Sequence, residues 1–238
     1  MALGTVMMAE ACRFIKPGAR VAAMGYPDII APMEAVRQIA GDADVTFRDD
    51  SEAICKRHGL EQRPIPDARS FFAALGAELH VFDVVAERGG EIIADLNYPM
   101  KKRYLGEYDM VLDVGTLEHC FNIGQAALNM AGLLKVGGVI LHENPFNWGN
   151  HGFYGLNPTW YADFYGQPGW ALGLCSLLAR DGTIMVGAIP HTRRFVFTQL
   201  EVNVFATACR TGIAPIGFPV QTKYAKLIGA NPKGVEHA

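Results

Sequence analysis

Short apolar runs alternate with amphipathic segments along most of the chain. Five runs have the composition of buried strands: 19–24, 78–82, 91–94, 108–114 and 139–142. Helical spacing of apolar positions marks the segments that precede or separate them: 5–15, 32–40, 70–75 and 125–134. Strands that alternate with helices favour a mainly parallel sheet with helices on both faces. The pattern therefore predicts an α/β fold.

The last part of the chain has a different pattern, in which strand-like runs follow one another without helices. These runs are 170–179, 183–188 and 201–209. Arg180-Asp181-Gly182 separates the first two and has the composition of a tight hairpin turn. A hairpin joins neighbouring strands in opposite directions. We therefore expect an antiparallel strand at one edge of the sheet.

Two segments interrupt the regular pattern of the predicted domain, which spans 1–238. Residues at about 41–66 are charged and end in a proline-rich run, which predicts a mobile insertion with a short helix around 52–58. Residues at about 144–170 concentrate aromatic and asparagine side chains. This second segment follows the fifth predicted strand, and we interpret it as a substrate-binding or lid region.

Composition and charge restrict the class of protein. The chain has 238 residues, of which 50% are hydrophobic and 19% are charged, so it can bury a large core. A formal net charge of −3 gives no general footprint for nucleic acid or an anionic membrane. The five cysteines are scattered and form no CxxC motif, which is typical of reduced thiols. With neither a membrane span nor a secretory signal, we expect a cytoplasmic protein with a small-molecule substrate. Whether the chain forms a homodimer is left open.

Chemistry-bearing residues stand where the predicted strands end. Ligands of open parallel sheets bind at the carboxyl ends of the strands. Asp83 and Asp95 follow consecutive strands, and a carboxylate after the second strand can accept both hydrogen bonds of a ribose diol. Gly25 and Gly115 allow a ligand to approach the backbone. The alternative is that the acids cap turns and the glycines serve only those turns, but together the positions favour a nucleoside-type ligand.

One long stretch carries a resemblance to a known family. YDMVLDVGTLEHCFNIGQAALNMAGLLKVGGVILHENPFN resembles the second half of class I S-adenosylmethionine-dependent methyltransferases. The matching motifs are YDMV at 108–111, TLEH at 116–119 and LKVGG at 134–138, in the family's order. The resemblance covers roughly 19–212. It implies a Rossmann-like, doubly wound, mostly parallel seven-stranded sheet with an antiparallel edge strand.

The resemblance also implies roles for individual residues. Asp83 would bind the ribose hydroxyls and Asp95 the adenine amino group, while Gly115 and Thr116 would line the methionine end. The implied set for S-adenosyl-L-methionine, or its product S-adenosylhomocysteine, is Gly25, Tyr26, Asp28, Asp83, Val84, Asp95, Leu96, Val114, Gly115 and Thr116.

The first motif departs from the family's pattern. Where the family has a GxGxG loop, this chain has Gly25-Tyr26-Pro27-Asp28, with one glycine. Pro27 removes an amide donor and stiffens the turn. Asp28 would bind the ammonium group of the methionine moiety, or else cap the following helix. Cofactor binding would then be weak, altered, or completed by the insertion at 41–66.

Three histidines are candidates for the catalytic base: His119, His142 and His151. Transfer to a hydroxyl needs a group that takes its proton, and histidine is suited to this near neutral pH. The alternative for each is a structural, hydrogen-bonded histidine. Asp113, His142, Glu143 and His151 could ligate a metal on paper, but they lack HxxxH or HExxH spacing. We therefore expect no metal site.

The leading hypothesis is methyl transfer to an oxygen or nitrogen of a small metabolite by in-line displacement. The segments HGFYGLNPTWYADFYG and PVQTKY are similar to a subgroup of bacterial methyltransferases often encoded beside carbohydrate or secondary-metabolite genes, which favours a sugar or natural-product intermediate. A second hypothesis is a non-catalytic cofactor-binding subunit with a degenerate glycine loop. A third, an NAD(P)-dependent oxidoreductase, would use Asp83, but the chain has neither GxGxxG nor a TyrxxxLys pair.

Overall fold

The computed structural model describes residues 2–41, 43–187, 198–199 and 201–225, and its centre is one large sheet. The strands of this sheet are β2 (Arg20–Met24), β4 (Glu78–Asp83), β5 (Ile92–Ile93), β6 (Tyr108–Asp113), β7 (Leu134–Pro145), β8 (Trp170–Leu178), β9 (Ile184–Val186) and β10 (Asn203–Arg210). A separate two-stranded sheet pairs β1 (Ala2–Leu3) with β3 (Asp28–Ile29). The helices are α1 (Thr5–Phe14), α2 (Met33–Ala40), α3 (Ser51–His58), α4 (Ala68–Ala74), α5 (Ile123–Leu133) and α6 (Pro158–Tyr165).

The strand order of the large sheet is β5-β4-β2-β6-β7-β10-β8-β9. Five neighbouring strands are parallel to one another, namely β5, β4, β2, β6 and β7. In contrast, β10 is antiparallel to both of its neighbours, and β9 is antiparallel to β8. The chain leaves β2 toward β4 on one side and returns to β6 on the other. The order of strands therefore reverses between β2 and β6, which is where such sheets bind ligands.

The Rossmann-like, doubly wound α/β fold with an antiparallel edge strand is confirmed. The large sheet has eight strands rather than the seven expected, because β9 pairs beyond β8. An antiparallel strand also lies inside the sheet, because β10 inserts between β7 and β8. The predicted strand 183–188 ends at Ala188, which lies outside the described residues.

Alternating side chains of the strand β2 point into two layers of the core, one on each face of the sheet. Val21 and Ala23 belong to the cluster on one face, which includes apolar side chains of α1, α2 and α4. Ala22 and Met24 belong to the cluster on the opposite face, which includes side chains of α5 and α6. Since side chains of a strand point to opposite faces in turn, a run that is apolar at every position must be covered on both sides.

The charged insertion is tied to the domain. Its predicted short helix is confirmed as α3, and the backbone of Arg48 donates a hydrogen bond of 2.8 Å to Ile65. Arg57 and His58, in the last turn of α3, both reach the carboxylate of Asp28. The contacts of Arg57 and His58 connect the insertion to β3, whereas the bond between Arg48 and Ile65 joins the two ends of the insertion. The mobility of this segment stays a prediction.

The aromatic region contains a helix that the hydrophobic pattern did not predict. Proline stands at the first position of α6, where its missing amide donor costs nothing. Tyr161 and Tyr165 are fully buried against the sheet, whereas Phe153 in the preceding loop is largely exposed. The region is therefore partly a cover for the sheet and partly an exposed loop. None of the helices in the described part of the chain combines the length and apolar character that crossing a bilayer requires.

Candidate ligand site at the carboxyl edge of the sheet

The reversal point of the sheet is formed by two turns with left-handed glycines. Gly25 follows β2 with φ +80°, and Gly115 follows β6 with φ +86°. A side chain at either position would strain the turn. The hydroxyl of Thr116 donates to the carbonyl oxygen of Met24, which holds the two strand ends together. The sequence thus places an open backbone surface where a ligand is expected.

Asp83 ends β4 beside this reversal point. Its Oδ1 atom accepts hydrogen bonds from the amides of Val84, at 2.7 Å, and Val85, at 3.3 Å. Among the described residues nothing hydrogen-bonds to its Oδ2 atom, which is therefore available to a ligand. Val84 is 62% exposed. A carboxylate beside an exposed apolar side chain suits the polar and flat faces of a nucleoside.

Asp95 and Leu96 follow β5, as predicted, but they face different surroundings. Asp95 is exposed, and its Oδ1 atom accepts hydrogen bonds from the backbone and side chain of Asn97. Leu96 is buried in the core, and its carbonyl oxygen accepts a hydrogen bond of 2.9 Å from Asn129. Asp95 therefore orders its own turn, while Leu96 anchors this turn to α5.

Tyr26 and Asp28, in the shortened glycine loop, are held by groups of the chain itself. The Tyr26 hydroxyl donates to Asp67, and burial raises its pKa to about 12. Asp28 is almost fully buried, and its carboxylate lies 2.9 Å from His58 Nε2 and 3.3 Å from Arg88. Asp28 does not cap α2, which begins at Met33. The chain already supplies cations to Asp28, so binding a ligand ammonium group would require one of them to move.

His142 does not lie at the exposed edge, contrary to the prediction that it is a candidate catalytic base. It is fully buried, with Nδ1 2.7 Å from Asp113 Oδ2 and Nε2 2.7 Å from the Tyr165 hydroxyl. The physical reason is strand alternation: His142 shares a face of β7 with Ile140, and α6 covers that face. Both ring nitrogens are used inside the fold, so His142 is a structural histidine.

Asp113 connects this buried histidine to the turn after β6. Its Oδ1 atom accepts hydrogen bonds from the amides of Thr116, at 3.0 Å, and Leu117, at 3.1 Å. Its Oδ2 atom accepts one of 3.0 Å from Asn144, besides the bond from His142. A carboxylate at the end of a strand thus shapes the turn that carries Gly115 and Thr116.

Glu118 is a functional candidate whose environment the sequence did not reveal. Its side chain is fully buried, and its Oε2 atom accepts a hydrogen bond of 3.1 Å from Asn144. Burial and the nearby charge of Asp113 raise the pKa of Glu118 to about 8. Its Oε1 atom is buried without a hydrogen-bond partner in the described structure. The only available signal was its place in the TLEH run.

His119 and His151 meet at this carboxylate. Their Nε2 atoms lie 3.7 Å and 3.5 Å from Glu118 Oε1, and their ring centroids are 5.1 Å apart. Both imidazoles are about half exposed. Burial and the neighbouring His151 lower the pKa of His119. Two of the three predicted histidines therefore converge on one buried acid, and the third does not join them.

A cavity of about 480 Å³ lies next to α6. Trp160 and Phe164 form part of its wall from α6, and Phe218 and Gln221 come from the end of the described chain. The rings of Trp160 and Phe164 are stacked, with centroids 5.1 Å apart. The predicted aromatic region thus supplies a flat apolar wall, as a ligand pocket commonly has.

Comparisons with known proteins give structural likeness without a sequence match. No protein-family model matches the chain, and no curated protein matches it. The chain is similar to 1,6-didemethyltoxoflavin-N1-methyltransferase of Burkholderia thailandensis, crystallised with 1,6-didemethyltoxoflavin and S-adenosylhomocysteine. The identity is 13% and the TM-score 0.47, over 87% of this chain and 76% of that one.

Two further similarities involve proteins of the same reaction type. The methyltransferase domain of the citrinin polyketide synthase is 9% identical with a TM-score of 0.49, over 88% of this chain and 52% of that one. An S-adenosylmethionine-dependent methyltransferase from Aquifex aeolicus is 8% identical with a TM-score of 0.44, over 87% of this chain and 89% of that one. At these values the likenesses carry no conclusion about the chemistry of this chain.

Proposed function

We propose that this chain binds S-adenosyl-L-methionine and transfers its methyl group to an oxygen or nitrogen of a small metabolite. The observation that carries the proposal is the position of Asp83, which ends β4 beside the reversal point formed by Gly25 and Gly115. An acid in this position suits a ribose diol. The YDMV, TLEH and LKVGG motifs support a methyltransferase over other nucleoside-binding proteins of this fold.

The proposed cofactor follows the carboxyl edge of the sheet. Asp83 would bind the ribose and Val84 would pack against the adenine, whose amino group would meet Asp95. The open backbone at Gly25 and Gly115 would receive the methionine end. The presence of one free oxygen on Asp83 and the exposure of Val84 support this orientation.

The acceptor would lie on the side of His119 and His151. In-line methyl transfer depends mainly on alignment, which contributes about 7–11 kcal/mol in well-oriented pairs. Phe121 and Phe153 stand near this side with ring centroids 5.4 Å apart, and both rings are largely exposed. Exposed rings next to imidazoles favour a polar acceptor with a flat or ring-shaped body, such as a sugar or natural-product intermediate.

Calorimetric titration with S-adenosylhomocysteine tests the proposal. The unaltered protein should bind it, and Asp83→Asn should weaken binding by at least about ten-fold, because a charged hydrogen bond contributes about 1.5–3 kcal/mol. The matched control is Glu78→Gln, an exposed acid at the opposite end of β4, which should leave the affinity unchanged.

The same titration separates the alternatives. Binding of NAD or NADP in place of S-adenosylhomocysteine would contradict the proposal and favour an oxidoreductase. Equal affinity of the unaltered protein and Asp83→Asn would remove Asp83 from the site. Binding of S-adenosylhomocysteine without methyl transfer to any member of a panel of hydroxyl and amine acceptors would favour the non-catalytic binding subunit.

A further inference from the structure

We propose that Glu118, His119 and His151 form a binding site for a divalent first-row transition metal ion. The three side chains each offer one ligand atom, and these atoms all lie within 4.8 Å of one another. Two imidazole nitrogens and one carboxylate oxygen form the donor set of many zinc and iron(II) sites. This set differs from the acids and histidines that the sequence placed together on paper.

The carboxylate is the strongest part of the argument. Glu118 is fully buried, yet its Oε1 atom has no hydrogen-bond partner in the described part of the chain. A buried oxygen without a partner costs about 1–3 kcal/mol, and such atoms are rare. Both Nε2 atoms lie beyond hydrogen-bond distance from it, at 3.5 Å and 3.7 Å. A cation between the three groups would give this oxygen a partner.

The spacing agrees with metal coordination. With metal–nitrogen and metal–oxygen distances near 2.1 Å, the ligand atoms of a tetrahedral site are about 3.4 Å apart. The distances from Glu118 to the two imidazoles exceed this by only a few tenths of an ångström. Because His119 and His151 are half exposed, their rings are able to rotate into position.

Groups behind the carboxylate fix its orientation. Asn144 donates to Glu118 Oε2 at 3.1 Å and to Asp113 Oδ2 at 3.0 Å, and its own oxygen accepts from the Tyr161 hydroxyl. All four residues are fully buried. Outer hydrogen bonds of this kind orient metal ligands and raise affinity. The carboxylate thus presents Oε1 toward the imidazoles.

The chemistry of the donors decides the class of ion. Magnesium and calcium prefer sites made wholly of oxygen, whereas imidazole suits zinc, iron, copper and nickel. Three protein ligands leave a coordination position for water or for an oxygen of a bound ligand. The half-exposed imidazoles make this position accessible to solvent.

Titration of chelator-treated protein with Zn²⁺, and with Co²⁺ followed by visible absorption, tests the site directly. We expect one ion per chain with nitrogen and oxygen ligation. His151→Asn and His119→Asn should each weaken binding by more than about ten-fold, since loss of even an outer partner costs 10–100-fold. The matched control is His80→Asn, which removes an imidazole that also lies next to a glutamate, 2.9 Å from Glu78. It should leave Zn²⁺ affinity unchanged.

Several outcomes would overturn the proposal. These are no binding by the unaltered protein, equal binding by His151→Asn, or a Co²⁺ spectrum with thiolate charge-transfer bands, which would assign the ion to cysteines. Circular dichroism of each variant confirms that the fold is retained. Binding of S-adenosylhomocysteine by His151→Asn separates this proposal from the proposed function, because it measures the cofactor site alone.

Discussion

The backbone amide of Phe153 donates a hydrogen bond of 2.9 Å to the carbonyl oxygen of Glu118. This bond fastens the loop after β7 to the turn after β6. Gly152 lies directly on Glu118, where an added Cβ atom would come within 2.9 Å of Cγ and of the carbonyl oxygen. The approach of His151 to Glu118 thus depends on a backbone contact that only glycine permits.

Gly152→Ala tests this contact. The added methyl group meets backbone as well as side chain, so the loop must move, and we expect the free energy of unfolding to fall by about 1–3 kcal/mol. Urea denaturation measures it, and the amide of Phe153 should exchange faster. Gly149→Ala is the matched control, because an added Cβ there meets nothing within 4 Å. Equal stability of the two variants would contradict the close approach.

Tyr165→Phe tests the structural assignment of His142. The substitution removes the partner of His142 Nε2 in the core, and an unsatisfied buried group costs about 1–3 kcal/mol. Denaturation should show this loss, whereas Tyr98→Phe, at an exposed tyrosine, should show almost none. Unchanged stability of Tyr165→Phe together with lost methyl transfer would return His142 to the list of catalytic bases.

Arg88→Gln tests how the insertion is anchored. Arg88 is 9% exposed and contacts the buried Asp28 as well as Asp50. We expect a loss of about 3 kcal/mol in stability, the low end for breaking a buried ion pair, since Arg57 still faces Asp28. Arg13→Gln removes an exposed pair with Glu10 and should cost no more than about 1 kcal/mol. A similar small cost for both variants would contradict the anchoring.

Glu143→Gln tests a pH dependence. Burial raises the pKa of Glu143, although a hydrogen bond from Asn203 opposes the shift. Because the folded-state pKa of Glu143 is raised, its carboxyl group contributes fully to stability below the unfolded-state pKa of about 4.3. This contribution is lost as pH rises through the folded-state pKa. The variant keeps the bond to Asn203 without the charge. Its stability relative to the unaltered protein should therefore increase in thermal melts as pH rises above about 4.3. A constant difference would contradict the shift.

The central strands were predicted well, because each is marked by a short run of apolar residues that can be recognised without its partners. β6 was expected at 108–114 and is Tyr108–Asp113, and α1 was expected at 5–15 and is Thr5–Phe14. The insertion of β10 between β7 and β8 was not predictable in this way, since it depends on pairing between distant parts of the chain. The helix α6 was missed although Tyr161, Phe164 and Tyr165 recur at helical spacing, because the segment was interpreted as a substrate-binding or lid region.

Strand-end reasoning placed Asp83, Gly25 and Gly115 correctly at the carboxyl edge, because this edge follows directly from a parallel sheet. Their role in binding a cofactor stays a prediction. The same reasoning placed His142 at the exposed edge, whereas strand alternation turns this side chain to the face that α6 covers. The proximity of Glu118 to His151 was also hidden. It requires the loop after β7 to fold back onto the turn after β6, and only the packing at Gly152 reveals this.

The place of β10 has a consequence for the order in which the chain is made. A ribosome completes β7 and β8 before it reaches residue 203, so both strands exist for a time with unpaired edges. Unpaired strand edges readily pair with other chains. A nascent or truncated chain that stops before residue 203 is therefore an expected target for chaperones. Once β10 is made, it pairs with both β7 and β8 and covers these edges.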